Sequence, residues 1–291
     1  MRHTNKRPNA WFNHSPRPFM NDHFDLQDIQ ALIIDIDGTL WRGRTPMPGL
    51  VPFFGFLQRR ALSFIIVTNN SVETPAQYQQ KLAGFGVEIQ PDQILTCSLA
   101  TAAYLKQEHE GAVVYVIGET GLRQALGQAG FSLTDKAAPP AQVVVVGGDT
   151  GLTYDKLKYA VLSIQRGAQF VGANPDLLIP TEEGLVPEAG TTLAAIQAAT
   201  GVAPTVIGKP EPWLFELAVK KMGSSPHQTA MLGDRLDTDI LGGQRAGLKT
   251  ILVTTGVDNR ESVVQKAIQP NLIVGGLSEL VDIWQGEAYD R

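Results

Sequence analysis

The chain has 291 residues, 43% of them hydrophobic and 18% charged, with a formal net charge of −5 at pH 7. That balance suits a globular protein with a sizeable core and argues against nucleic acid or an anionic membrane as a general partner. No apolar run approaches the roughly 20 residues of a membrane span, and the lone cysteine, Cys97, excludes an internal disulfide and points to a reducing, cytoplasmic setting.

Residues 1–28 are polar, carry Arg2, Lys6, Arg7 and Arg17, and lack the apolar centre of a secretory signal. They are expected to form a flexible extension. Ala31–Asp35 then reads as a buried strand that ends on a carboxylate, with Asp37 two positions on and Gly38-Thr39 breaking the pattern. Carboxylates grouped at a strand end are costly unless a cation or a reaction uses them. Leu50–Arg60 has helical spacing, with Pro48, Gly49 and Pro52 at its start. Phe64–Val67 is a second strand, closed by Thr68-Asn69-Asn70-Ser71. A helix over Pro75–Phe85, short extended pieces at Val87–Ile89 and Ile94–Thr96, and a helix over Ser98–Glu108 follow.

The middle third carries its own alternating elements: strands at Val113–Ile117, Val143–Val146 and Phe170–Ala173, and helices at Gly121–Ala129 and Tyr154–Gln165. Asn174-Pro175-Asp176 is most simply a turn. A helix over Thr191–Ala199 leads to a strand at Thr205–Ile207 that ends on Gly208-Lys209-Pro210. Beyond a helix over Trp213–Met222, a strand at Thr229–Leu232 ends on Gly233-Asp234-Arg235, and Asp239 opens a short helix. Thr250–Val253 and Leu272–Val274 are the last strands.

Four strands thus end on polar residues: Asp35 and Asp37, Thr68 to Asn70, Lys209, and Asp234 with Asp239. If they lie parallel in one sheet, all four sets gather at one edge, where open α/β sheets bind ligands. Carboxylates with one lysine and several amide and hydroxyl donors suit Mg²⁺ and a phosphate. Asp35 then serves as nucleophile, Asp37 suits general acid/base work, and Lys209 offsets phosphate charge. Asp239 has a simpler reading as a helix N-cap, and Trp41 serves packing or lines the site equally well. Cys97 reads as a small buried residue, no histidine lies in these motifs, and neither GxGxxG nor a P-loop occurs.

The four motifs DIDGT (Asp35–Thr39), TNNS (Thr68–Ser71), GKP (Gly208–Pro210) and GDRLDTD (Gly233–Asp239) resemble those of haloacid dehalogenase superfamily phosphatases. The resemblance is to subclass IIA, the p-nitrophenylphosphatase and NagD-like branch, and covers about Gln30 to the C-terminus. It implies a doubly wound parallel α/β sheet with an inserted α/β cap: core at 29–102 and 204–291, cap at 103–203. The implied metal ligands are Asp35, Asp234 and the Asp37 carbonyl, with Asp239 holding the groups around them. Thr68, Asn69, Asn70 and Lys209 serve the phosphoryl group or its loop, and Asn174, Asp176 and Ile179 are the cap's candidates for substrate selection. The sequence departs from the commonest pattern in PEAGTT (Pro187–Thr192), where Glu188 replaces a more usual glycine. The activity implied is Mg²⁺-dependent hydrolysis of a small phosphomonoester, such as a sugar phosphate, phosphoglycolate or a nucleoside monophosphate, through an aspartyl-phosphate. Transfer to an acceptor alcohol and phosphate binding without turnover are the alternatives, and a homodimer through the cap is a family-level expectation.

Overall fold

The computed structural model describes residues 24–136, 140–181 and 183–286. Its strands and helices are numbered here in chain order. The expected extension at 1–28 lies mostly outside the described residues, but its last part is not loose: Phe24 and Leu26 are buried in the core around a short 3₁₀ turn at Leu26–Asp28. Two apolar side chains outweigh the polar context that suggested an extension.

β1 (Ala31–Asp35) leads into a small hairpin, β2 (Trp41–Arg42) with β3 (Thr45–Pro46). The chain continues through α1 (Leu50–Arg59), β4 (Ser63–Thr68), α2 (Pro75–Gly84), β5 (Ile94–Thr96) and α3 (Cys97–Glu108). Residues 87–89 form no strand. β6 (Val113–Ile117), α4 (Thr120–Gln128), β7 (Ser132–Thr134), β8 (Val143–Val146), α5 (Tyr154–Gln165) and β9 (Gln169–Gly172) follow. A second hairpin pairs β10 (Leu178–Thr181) with β11 (Gly184–Pro187). The chain ends through α6 (Ala189–Thr200), β12 (Thr205–Val206), α7 (Pro212–Met222), β13 (Thr229–Gly233), α8 (Leu241–Arg245), β14 (Lys249–Val253), α9 (Arg260–Lys266), β15 (Leu272–Val274) and α10 (Leu277–Gln285).

Two parallel sheets organise these elements. The first has the order β15-β14-β13-β1-β4-β5, the second β12-β9-β8-β6-β7. The alternation of a strand sends neighbouring side chains of β1 to opposite faces. Leu32 and Ile34 pack with Phe53, Leu57 and Leu280 of α1 and α10, whereas Ile33 packs with Cys97 and Phe215 of α3 and α7. Both faces are covered, which accounts for the unbroken hydrophobic runs. The cluster containing Ile33 also holds Val114 and Val116 of β6, so one apolar layer joins the two sheets through α3, α4 and α7. The other face of the second sheet is closed by Ala160 and Ile164 of α5 and by Leu193 and Ile196 of α6.

One sequence expectation needs revision here. The strand before Lys209 does not join the sheet of β1. It pairs with β9 in the second sheet, and Ile207 N and Gly208 N continue the pattern onto the carbonyls of Gly172 and Ala173. A strand of two residues carries no periodicity that assigns it to a sheet. Residues 102 and 103 both lie within α3, one unbroken helix.

Candidate active site

β1 sits between β13 and β4 in the first sheet. The C-terminal ends of these three strands therefore bring Asp35, Thr68 and Asp234 to one edge. After Asp35 the chain turns sharply. Leu40 N donates to Ile36 O (2.8 Å) and Gly38 N to Trp41 O (2.7 Å). Gly38 has φ of +86°, and a Cβ there would run into the Asp234 carboxylate. Both facts require glycine at the position where the turn passes the acid.

Asp35, Asp234 and Asp239 each offer a carboxylate oxygen within 4.8 Å of the others. Lys209 Nζ reaches this group from the other sheet and donates to Asp35 Oδ1, as well as to Asp239 Oδ1 at 2.6 Å. Asp239 is fully engaged, because its Oδ2 accepts from Arg235 N at 3.0 Å. Its side chain crosses beside Gly233 at the end of β13, where any Cβ would collide with it. Asp239 thus anchors the lysine, and a helix N-cap does not describe its role. Asp234 Oδ2 accepts from Val257 N at 2.7 Å, while its buried Oδ1 has no hydrogen-bond partner. A buried carboxylate oxygen left unpaired is costly, and a cation is the partner such an oxygen calls for.

Electrostatics follow from this crowding. Burial, and then Asp239, push the Asp35 carboxyl well above the ordinary range, against the pull of Lys209. Burial and Asp239 likewise raise Asp234 to about 7, despite the hydrogen bond from Val257. Burial alone lowers the Lys209 ammonium, but Asp239 and Asp35 more than reverse it and hold the lysine charged. Asp37 is more exposed than these groups, yet desolvation raises its carboxyl as well, against the pull of Lys81 and of the hydrogen bond that its Oδ1 accepts from Trp41 Nε1 at 3.1 Å.

The loop after β4 is tied to the lysine loop. Asn69 Oδ1 accepts from Lys209 N at 2.8 Å, and Asn69 Nδ2 donates to Lys209 O at 2.9 Å. The same Nδ2 donates to Asp176 Oδ2 at 2.9 Å. With its side chain spent in this way, Asn69 has only its backbone to offer a phosphate. Thr68 Oγ1 accepts from Asn70 N and Asn70 Oδ1 from Val72 N, so Asn70 shapes the loop. Gly208 permits this arrangement, since a Cβ there would lie 2.6 Å from Asn69 Oδ1 and 2.7 Å from Ala173 O. Gly208→Ala is expected to cost about 1–3 kcal/mol of stability and to displace Lys209. Chemical denaturation together with turnover of p-nitrophenyl phosphate measures both effects.

The cap candidates divide. Asn174 is fully buried, with Nδ2 donating to Asn69 O at 2.7 Å, so it props the loop. Its Oδ1 accepts from Asp176 N, which confirms the turn. Asp176 reaches both Asn69 and Arg235 Nη1, the latter at 3.4 Å. Ile179 lies on β10 opposite Val186. Glu188 stands at the start of α6 without a side-chain capping hydrogen bond, its Oε1 lies 3.5 Å from Asn174 Nδ2, and burial raises its carboxyl. Sequence reasoning missed Arg235 as the partner of Asp176 and the segment 255–258 as the support of Asp234. Their only signal was position: one beside a motif acid, the other just past β14.

Residues 32–132 match the haloacid dehalogenase-like hydrolase family, and residues 206–280 match the HAD-hydrolase-like family. The chain is 39% identical over 245 residues to the acid sugar phosphatase of Staphylococcus epidermidis, covering 84% of this chain and 94% of that protein. A thermostable nitrophenylphosphatase double mutant from Geobacillus stearothermophilus superimposes with a TM-score of 0.81 at 41% identity, over 87% of this chain and 98% of that one. NagD from Escherichia coli K-12 does so with a TM-score of 0.80 at 33% identity, over 86% and 98%. Parallel sheets ending in grouped acids and a lysine, with these relatives spanning nearly their whole length, lead to one conclusion: the chain belongs to the haloacid dehalogenase superfamily as a NagD-like phosphatase, a hydrolase of phosphoric monoesters.

Proposed function

We propose that the protein hydrolyses small phosphomonoesters, sugar phosphates foremost, with Mg²⁺ and through a phosphorylated Asp35. The observation that carries this reading is the pairing of buried Asp35 with Lys209, beside the unpartnered Oδ1 of Asp234. Asp35, Asp234 and the Asp37 main-chain carbonyl would hold the metal. All three are oxygen donors, the set a hard divalent cation prefers. Bound there, the cation supplies positive charge that offsets the phosphate and lets a carboxylate approach it.

The remaining chemistry belongs to the chain. An Asp35 oxygen attacks phosphorus, the ester P–O bond breaks, and Asp37 gives its proton to the leaving oxygen. Asp37 then takes a proton from water, which attacks the acyl-phosphate, releases phosphate and restores Asp35. Lys209 holds charge against the phosphoryl oxygens throughout, kept in place by Asp239. Thr68 and the backbone at Asn69 and Asn70 bind the phosphoryl group. The unit built on the second sheet, about residues 103–203 with Thr205–Val206 added, acts as a cap that excludes water and contacts the leaving group. The sugar preference rests on relatives named acid sugar phosphatases.

Phosphate release from a panel of sugar phosphates, phosphoglycolate and nucleoside monophosphates tests this. Release is expected with Mg²⁺, to stop with EDTA, and to be fastest with sugar phosphates. No release from any ester overturns the assignment of substrate class and mechanism together.

A further inference from the structure

Asp37 occupies an unusual position for a group that must meet a leaving oxygen. It is exposed, on a turn, and free of the lysine that orders Asp35 and Asp239. An exposed carboxylate has several rotamers open to it, and only some of them face the reaction. The side chain that selects among them is Trp41. The turn at 36–41 folds the indole back so that Nε1–H donates to Asp37 Oδ1 at 3.1 Å, leaving Oδ2 for the reacting atoms.

Trp41 is itself tightly enclosed. It is fully buried, stacked on Tyr78 with centroids 6.1 Å apart and planes at 21°, and flanked by Phe85 at 5.9 Å. Lys81 Nζ lies 4.3 Å from the centre of its ring, a placement that holds the indole by cation–π attraction. A Phe or Leu would fill the same apolar space. The indole adds one thing, a directed donor, and a buried indole N–H needs a partner. We propose that Trp41 is a positioning residue for the acid/base carboxylate of Asp37, with Tyr78, Phe85 and Lys81 fixing the ring. This rests on the reading of Asp37 as acid/base.

The test compares an alkyl phosphate, glucose 6-phosphate, with p-nitrophenyl phosphate, whose leaving group departs as an anion without needing a proton. For Trp41→Phe, kcat on glucose 6-phosphate is expected to fall about 10- to 100-fold, the range of one hydrogen bond to a charged group, with KM nearly unchanged. On p-nitrophenyl phosphate the first step stays fast and the second, which needs the base, slows. Rapid mixing should therefore show a burst of p-nitrophenolate followed by slow turnover. Asp37→Asn should show the same pattern more deeply. If Asp37→Asn shows no such pattern, the acid/base reading falls and this proposal with it. If Asp37→Asn shows it and Trp41→Phe does not, the positioning role alone is overturned. Equal slowing of the first step on both esters in Trp41→Phe also overturns it, as general disorder of the site would do. Should Trp41→Phe fold poorly, 3-benzothienylalanine at position 41 keeps the indole's shape and removes only the donor, and the same comparison applies.

Discussion

Asp35→Asn is expected to abolish phosphate release, by on the order of 10⁵-fold or more, the scale on which a hydrolase loses activity when its covalent nucleophile is removed. An amide neither attacks phosphorus nor balances a cation. The same substitution should leave the metal-free protein at least as stable as the parent. Asp35, Asp234 and Asp239 surround a single lysine, so the buried group carries more negative than positive charge. Burial and Asp239 already disfavour the ionised Asp35, and removing that charge relieves the repulsion. A higher Tm in EDTA together with lost turnover is the expected pair of results. A variant that keeps a tenth of the parent activity excludes Asp35 as nucleophile. Loss of activity accompanied by a large fall in Tm would show that Asp35 serves the fold first.

Lys209→Met is expected to do the reverse to stability while also removing activity. Lys209 Nζ is bonded to both Asp35 and Asp239 inside the protein. Breaking a buried charge pair from one side typically costs about 3–5 kcal/mol, which in a chain of this size lowers Tm by about 5–15 °C. The loss should depend on pH. Burial and Asp239 push the folded Asp234 carboxyl up to about 7 from an ordinary 3.8, and Asp35 is raised in the same direction. Between those values the folded state binds more protons than the unfolded one, so stability falls as pH rises through the window. Without the ammonium the neighbouring acids are held protonated to higher pH still, so the deficit of Lys209→Met should grow as pH rises through that window, and added Mg²⁺ should restore part of it at the alkaline end. An unchanged Tm near about pH 8 would show that Lys209 does not serve as the counter-charge.

Much of this candidate site was legible in the chain because two of its acids stand at strand ends. Asp35 closes β1 and Asp234 comes immediately after β13. A buried parallel strand is an apolar run of few residues, and its end is marked by the first polar one. The order β13-β1-β4 is set by the tertiary fold; given parallel neighbours, their C-terminal ends share one edge. The long amphipathic or buried helices were legible for a related reason, as Tyr154–Gln165 illustrates, with Thr153 capping it at Lys156 N. The hairpins at 41–46 and 178–187 escaped notice. Their strands are only two to four residues long and largely exposed, so no alternation of burial imprints itself on the residues.

What the sequence alone determined is the inventory of candidate groups: two carboxylates at the end of one strand, a hydroxyl and amide loop after another, a lysine, and a final acidic motif. Local rules suffice for that, since each group is announced by the few residues around it. The tertiary structure decided what each group touches. It sent the strand of Lys209 into the second sheet, turned the Asn69 side chain from phosphate to the lysine backbone, engaged both oxygens of Asp239, and buried Asn174 beneath the loop. Apart from the local bond of Arg235 N to Asp239, these outcomes depend on hydrogen bonds between residues 30 to 140 positions apart. Which of several competent donors satisfies a buried acceptor is settled only when packing brings them together.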